Sequence, residues 1–145
     1  MKICKVCGIP KELNQFCDSA NGSQGKQFCC KECRRKYQKN YQRKVRQEAI
    51  NAYGGRCSCC GETEVYFLAI DHIFGGGNRI QRERGEAHRG GYNFYLQLKK
   101  LGYPQREYRV LCHNCNMGRE VNGGVCPHQK QPEFFFPLVW KRTRK

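Results

Sequence analysis

The sequence predicts a small α+β protein that is organised around metal ions. Three observations support this fold class. Eight of the twelve cysteines form four CxxC pairs, one long segment without Gly or Pro has helical periodicity, and short runs of β-branched and aromatic residues lie near the later cysteine pairs. At 145 residues the chain has the length of one domain, but the cysteine pairs divide it into two units. Each unit is small for stabilisation by apolar burial alone.

The cysteine spacing predicts two structural zinc ions. Two cysteines with two residues between them can place both thiolates on one tetrahedral ion, and two such pairs complete a closed Cys4 site. The N-terminal segment MKICKVCG has no apolar stretch of the length of a secretory signal, so we expect a reducing, intracellular location and metal-bound thiolates instead of disulfides. The predicted ligands of the first zinc are Cys4, Cys7, Cys30 and Cys33, and those of the second are Cys57, Cys60, Cys112 and Cys115.

Four cysteines remain outside these two predicted sites: Cys17, Cys29, Cys59 and Cys126. Cys29 and Cys59 adjoin predicted ligands and could exchange with them. Cys126 and His128 have the chemistry for an additional metal contact.

The first unit comprises residues 1–33, an N-terminal zinc-binding module. The 22 residues between its two cysteine pairs are rich in Gly, Ser, Asn and Gln, which predicts a loop with a short hairpin. Residues 34–53 then form a basic linker. From Lys31 to about Tyr53 there is no Gly or Pro, and apolar residues recur at a spacing of four. This pattern predicts one amphipathic helix that ends at Gly54-Gly55.

The helix is also strongly basic, with eight Lys or Arg against two Glu between residues 31 and 48. The whole chain has 27 Lys and Arg against 12 Asp and Glu, a formal charge of +15, which favours a polyanionic partner. We expect DNA to be that partner, although a solvated basic face or a ribosomal type of component has the same composition. The predicted phosphate-binding residues are Arg34, Arg35, Lys36, Lys39, Arg43, Lys44 and, in a later loop, Arg79.

Residues 54–128 form the second predicted domain. A buried strand is predicted over 65–70, with Asp71 and His72 at its end. An Arg-rich loop over 75–91, a packing helix over 93–101 and a second strand over 108–111 follow. A short helix is predicted to start at Asn116. Residues 129–145 are an aromatic and basic tail. No run approaches the roughly 18 apolar residues of a membrane span, so no membrane partner is expected, and no small-molecule cofactor is predicted.

The order of motifs in this domain resembles a known enzyme family. The motifs are Cys57/Cys60, the segment LAIDHI around Asp71-His72, and the segment VLCHNCN that ends in Asn116. Together they resemble HNH endonucleases, which have the ββα-metal fold. Most of those enzymes have a metal-binding His after the last cysteine, whereas an Asn at that place is similar to phage recombination endonucleases. The resemblance to phage and mobile-element proteins covers most of residues 1–128.

The resemblance implies a metal-dependent hydrolysis of phosphodiester bonds in DNA. His72 is the expected general base, because a neutral imidazole with a reference pKa of about 6.5 can accept a proton from water near pH 7. Asp71 and Asn116 are expected to hold one catalytic Mg²⁺ or Mn²⁺ through oxygen atoms. The middle Asn of the family has no clear match, so Gln105, Glu107 or a backbone carbonyl is expected to orient His72.

Two other functions fit the same sequence. In the first, the protein is a zinc-knuckle module that binds nucleic acid without cleaving it, and Asp71-His72 is structural. In the second, the tail docks on a partner in an assembly. The preference for a DNA sequence or structure, nicking against double-strand cleavage, and the oligomeric state do not follow from the sequence.

Overall fold

The computed structural model describes residues 1–75 and 91–129. Within these residues it has six short strands and three α-helices, which confirms a small α+β fold. The chain divides into two compact units, Met1–Glu48 and Ala49–Lys145. Arg79, most of the predicted Arg-rich loop and nearly all of the predicted tail lie outside the described residues. Within those residues, no helix combines the length and the apolar composition that a membrane span requires.

The first unit contains two antiparallel hairpins, and the second of them lies where the sequence predicted a loop with a short hairpin. Strand β1 (Lys2–Ile3) pairs with β2 (Pro10–Lys11), and β3 (Phe16–Asp18) pairs with β4 (Lys26–Cys30). The tight turn of the first hairpin ends at Gly8, whose N–H donates to the carbonyl of Cys4 at 2.9 Å. Its φ of 71° lies in the left-handed region that favours glycine.

The predicted long basic helix is confirmed as α1, which runs from Lys31 to Ala52. It follows β4 directly, so that Cys30 and Cys33 lie at its first turn. It ends where Gly54 and Gly55 adopt positive φ and the Gly55 N–H returns to the carbonyl of Ile50 at 3.0 Å.

The described residues of the second unit form one antiparallel strand pair and two further helices. Strand β5 (Leu68–His72) pairs antiparallel with β6 (Tyr108–Cys112), and the register places Asp71 opposite Arg109 and His72 opposite Tyr108. Helix α2 (Tyr92–Lys100) confirms the predicted packing helix, and α3 (His113–Val121) follows β6 without a break. A single 3-10 turn, Pro127–Gln129, closes the described part of the chain.

Two predicted boundaries differ from the structure. The strand predicted from Val65 starts at Leu68, because the Glu64 side chain accepts the Tyr66 N–H at 3.1 Å and sets up a 3-10 turn. Helix α3 starts at His113 instead of Asn116. The Sγ of Cys112 accepts the Cys115 N–H at 3.4 Å and caps the helix three residues earlier than predicted.

Both buried clusters consist largely of cysteine. In the first unit the cluster is Cys4, Phe16 and Cys30. In the second unit the cluster has eight buried residues, of which four are cysteines and the other four are Ile50, Leu68, Val110 and Leu111. Because these apolar cores are small, we expect the stability of each unit to depend on what its thiols bind.

Candidate metal centres and the strand-end site

The four predicted cysteine ligands of the first unit come together in the structure. One ligand atom from each of Cys4, Cys7, Cys30 and Cys33 lies within 4.8 Å of the others. The Sγ atoms of Cys4 and Cys33 are 3.9 Å apart, close to the separation of about 3.8 Å that two sulfurs have on a tetrahedral zinc ion with bonds of about 2.3 Å. The donor set therefore fits a structural zinc ion.

The second predicted group, Cys57, Cys60, Cys112 and Cys115, also gathers within 4.8 Å. The Sγ atoms of Cys60 and Cys112 are 3.6 Å apart. Each CxxC pair has the backbone geometry of a zinc knuckle, because the N–H of the second cysteine points at the sulfur of the first. These distances are 3.5 Å from Cys60 N to Cys57 Sγ and 3.4 Å from Cys115 N to Cys112 Sγ.

Backbone N–H groups also favour the thiolate form of one cysteine in the second group, and thiolate is the form that binds metal. Burial raises the pKa of the Cys57 thiol, but backbone N–H groups of Cys60, Cys112 and Cys59 outweigh this effect and lower the pKa from 9.0 to about 6. For Cys115, burial together with the neighbouring thiols raises the pKa. A divalent cation among these sulfurs removes their mutual repulsion, since a coordinating thiol is deprotonated by the ion itself.

A third group of donors overlaps the second. Cys59, Cys115, Cys126 and His128 also lie within 4.8 Å of one another. The Nδ1 atom of His128 is 3.2 Å from Cys115 Sγ and 3.6 Å from Cys126 Sγ. The sequence indicated Cys126 and His128 only as an additional metal contact. They lie beside Cys59 and Cys115 because the chain folds back against α3 after this helix ends.

Asp71 lies in the last residue pair but one of the β5–β6 ladder, and its carboxylate accepts hydrogen bonds from two arginines. Arg119 of α3 donates from Nη1 to Asp71 Oδ2 at 2.9 Å, and Arg109 of β6 donates from Nε to the same oxygen at 3.2 Å. Arg119 also donates to the carbonyl of Ile73 at 2.9 Å and to that of Gly124 at 3.0 Å. One guanidinium therefore ties the end of β5 to α3 and to the segment that follows it.

His72 lies on the opposite face of the hairpin from Asp71, because side chains alternate along a strand. Its ring centroid is 4.7 Å from that of Tyr108, directly across the ladder, and 6.0 Å from that of Phe94 on α2. The ring is half-buried. Gln105, one of the groups expected to orient His72, instead donates its side-chain N–H to the carbonyls of Ala52 and Tyr103.

Asn116 is half-buried in the first half of α3. It lies three residues before Arg119, and side chains at this spacing share one helix face. Arg119 reaches Asp71 and so joins α3 to the end of β5, whereas no hydrogen bond among the described residues joins Asn116 to Asp71 or His72. His113 is exposed on the same helix.

The basic residues predicted to bind phosphate are exposed along α1, except for Arg79, which is not among the described residues. The exposed residues are Arg34, Arg35, Lys36, Lys39, Arg43 and Lys44. Two aromatic rings lie among them: Tyr37 and Tyr41 are stacked with centroids 6.4 Å apart and are 71% and 45% exposed. Exposed tyrosines between cations are suited to contact with both bases and phosphates.

Sequence reasoning missed Arg109 and Arg119, the two partners of Asp71. Arg109 lies in a predicted strand and Arg119 near a predicted helix end. Neither belongs to a sequence motif that would distinguish it from a surface arginine. The pairing of Arg119 with Asp71 joins residues that are 48 positions apart.

Comparison of the chain with protein-family models, with curated proteins and with solved structures gave no match.

Loss of the Asp71 carboxylate is expected to lower the stability of the second unit. Asp71→Asn leaves two guanidinium groups facing each other without a counter-charge, in a place where the Asp71 side chain is only 13% exposed. We expect the free energy of unfolding to fall by about 2–4 kcal/mol, as for a mostly buried ion pair that loses one partner. Hydrogen exchange of the β5 and β6 amides in the zinc-loaded protein measures this change.

Glu120→Gln is the matched control, because Glu120 is an exposed carboxylate on the same helix. Equal exchange rates in the two variants would show that the ion pair does not stabilise the hairpin.

Proposed function

We propose that this protein is a metal-dependent DNA endonuclease that hydrolyses phosphodiester bonds and has the ββα-metal arrangement of HNH enzymes. The main support is the junction between the β5–β6 hairpin and α3. Asp71 and His72 end β5, and Arg119 connects Asp71 to the helix that carries Asn116. A carboxylate and a carboxamide can bind a divalent ion through oxygen, and an imidazole can accept a proton from water.

In this proposal His72 is the general base. Its imidazole accepts a proton from the water that attacks phosphorus, which gives typically 10²–10⁴-fold of the rate. The rings of Tyr108 and Phe94 pack beside it and limit its rotation.

Asp71 and Asn116 would hold Mg²⁺ or Mn²⁺ through oxygen atoms, the ligands that these ions prefer. Both arginine bonds to Asp71 go to Oδ2, so Oδ1 is the oxygen that we assign to the ion. When bound, the ion supplies positive charge that offsets the charge on the phosphoryl oxygens and on the leaving 3′ oxygen. Arg119 fixes the orientation of the carboxylate.

Helix α1 and the first unit supply DNA affinity in this proposal. The exposed cations of α1 are suited to phosphate contacts, and the formal charge of +15 favours association with a polyanion. Because such binding releases counterions, affinity falls steeply as salt rises.

Incubation of the zinc-loaded full chain with supercoiled plasmid tests the proposal. We expect nicked circles with added Mg²⁺ or Mn²⁺ and none without it. Asn116→Ala is expected to need a higher Mg²⁺ concentration for the same rate, because it removes one ligand. Asn114→Ala, an exposed residue in the same knuckle, is expected to behave like the wild type. Intact plasmid under every divalent ion would contradict the proposal.

A second candidate function is a zinc-knuckle protein that binds nucleic acid without cleaving it. Two observations favour it: the arginine pairs give Asp71 a structural role, and Tyr37 with Tyr41 forms an exposed stacked pair on a cationic helix. Salt-sensitive DNA binding that Tyr37→Ala weakens, together with intact plasmid, would support this function over the first.

A further inference from the structure

The second unit holds more soft donors than one zinc ion can use. A structural zinc ion takes four ligands, and Cys57, Cys60, Cys112 and Cys115 already complete one set. Three further donors, Cys59, Cys126 and His128, lie beside this set and form a second set of four with Cys115. The two sets share one residue, the buried Cys115.

The distances in the second set match those of a tetrahedral site. A nitrogen and a sulfur bound to one zinc ion, at about 2.0–2.1 and 2.3 Å, lie roughly 3.5 Å apart. His128 Nδ1 lies 3.2 Å from Cys115 Sγ and 3.6 Å from Cys126 Sγ. A hydrogen bond from the imidazole explains one such contact, but it does not gather four donor atoms within 4.8 Å.

We propose that the second unit binds two zinc ions, with the thiolate of Cys115 bridging them. One ion is held by Cys57, Cys60 and Cys112, the other by Cys59, Cys126 and His128, and both share Cys115. Each ion thereby has four ligands, and all seven donors are used. With the Cys4 site of the first unit, the chain binds three zinc ions. This proposal does not depend on the nuclease function.

Charge supports a bridge. Six thiolates, one neutral imidazole and two divalent cations have a net charge of about −2, the same as one Cys4 zinc site. The second ion therefore adds no negative charge to the core of the unit. It also gives a role to the Cys59 and Cys126 thiols, which the spacing of CxxC pairs leaves without one.

The backbone allows the Cys126–His128 segment to lie close to Cys115. The Cys126–His128 segment packs against α3 at Gly118, where an added Cβ would lie 3.0 Å from Pro127 Cδ. Glycine at this position permits the close approach. Arg119 donates to the carbonyl of Gly124 at 3.0 Å and holds the returning chain on the same helix. The second ion thus joins Cys115 of α3, the helix that carries Asn116 and Arg119, to the Cys126–His128 segment that follows it.

Metal counting tests the proposal. The full chain is purified with zinc, dialysed against a weak chelator to remove loosely held ions, and examined by native mass spectrometry together with elemental analysis. We expect three zinc ions per chain. Cys126→Ser combined with His128→Asn is expected to bind two, and Cys17→Ser, a thiol outside all three groups, is expected to keep three. Two ions in the wild type would overturn the proposal, whatever the variants do.

Cadmium NMR tests whether the Cys115 thiolate bridges the two ions. Replacement of zinc by ¹¹³Cd in the wild-type chain is expected to give three resonances, two of which are split by coupling through the shared sulfur. Three unsplit resonances would overturn the bridge. Equal zinc content in the wild type and the double variant would overturn the second site.

Discussion

Replacement of His72 by alanine is expected to lower the rate of DNA nicking by about 10²–10⁴-fold, since it removes the proton acceptor for the attacking water. DNA affinity is expected to stay within a factor of about two, because the proposed phosphate contacts come from the exposed cations of α1 and not from His72. Single-turnover nicking with excess protein and saturating Mg²⁺ measures the rate, and fluorescence anisotropy without Mg²⁺ measures the affinity.

Two further variants separate chemistry from folding. His72→Gln keeps a polar side chain of similar length beside Tyr108 but lacks a base near pH 7, so it is expected to be as slow as the alanine variant. His113→Ala removes an exposed histidine from α3 and is expected to nick at the wild-type rate. All three must bind as much zinc as the wild type. Wild-type nicking by zinc-loaded His72→Ala would exclude His72 as the base.

The parts of this fold that were predictable from sequence are those set by local spacing. CxxC pairs must turn tightly, so the spacing identified both four-cysteine groups, which the structure gathers within 4.8 Å. A segment without Gly or Pro and with an apolar period of four had to be a helix, and it is α1. Strand β6 and helix α2 followed from the same local rules. In each case the signal lies within a few residues of the element.

What the sequence did not reveal depends on contacts between distant segments. The sequence indicated Cys59 only as a thiol that could exchange with an adjacent ligand, since only the fold brings Cys126 and His128 beside it. The pairing of Arg119 with Asp71 has the same origin. Capping side chains moved two boundaries by three residues each, because Glu64 and the Cys112 thiol accept N–H groups that a pattern of apolar residues does not detect. The ion pairs of Asp71 could therefore not be predicted from the sequence, whereas the roles of Asp71, His72 and Asn116 stay predictions.

Removal of zinc is expected to unfold the second unit completely. Four of the eight buried residues in the main cluster of its described part are cysteines, so that without metal this cluster has only Ile50, Leu68, Val110 and Leu111 as apolar side chains. A structural zinc ion contributes about 10–16 kcal/mol of apparent binding free energy, as much as the whole stability of an ordinary domain, about 5–15 kcal/mol.

Hydrogen exchange monitored by mass spectrometry distinguishes the two units in this experiment. After dialysis against a strong chelator under reducing conditions, β5, β6 and α3 are expected to lose their protection, and added zinc is expected to restore it. Cys112→Ser is expected to expose the second unit while β3 and β4 stay protected, and Cys7→Ser to do the reverse. Protected β5 and β6 amides in a metal-free chain would mean that apolar packing alone holds the hairpin, and the thiol clusters would then have to be explained as packing residues.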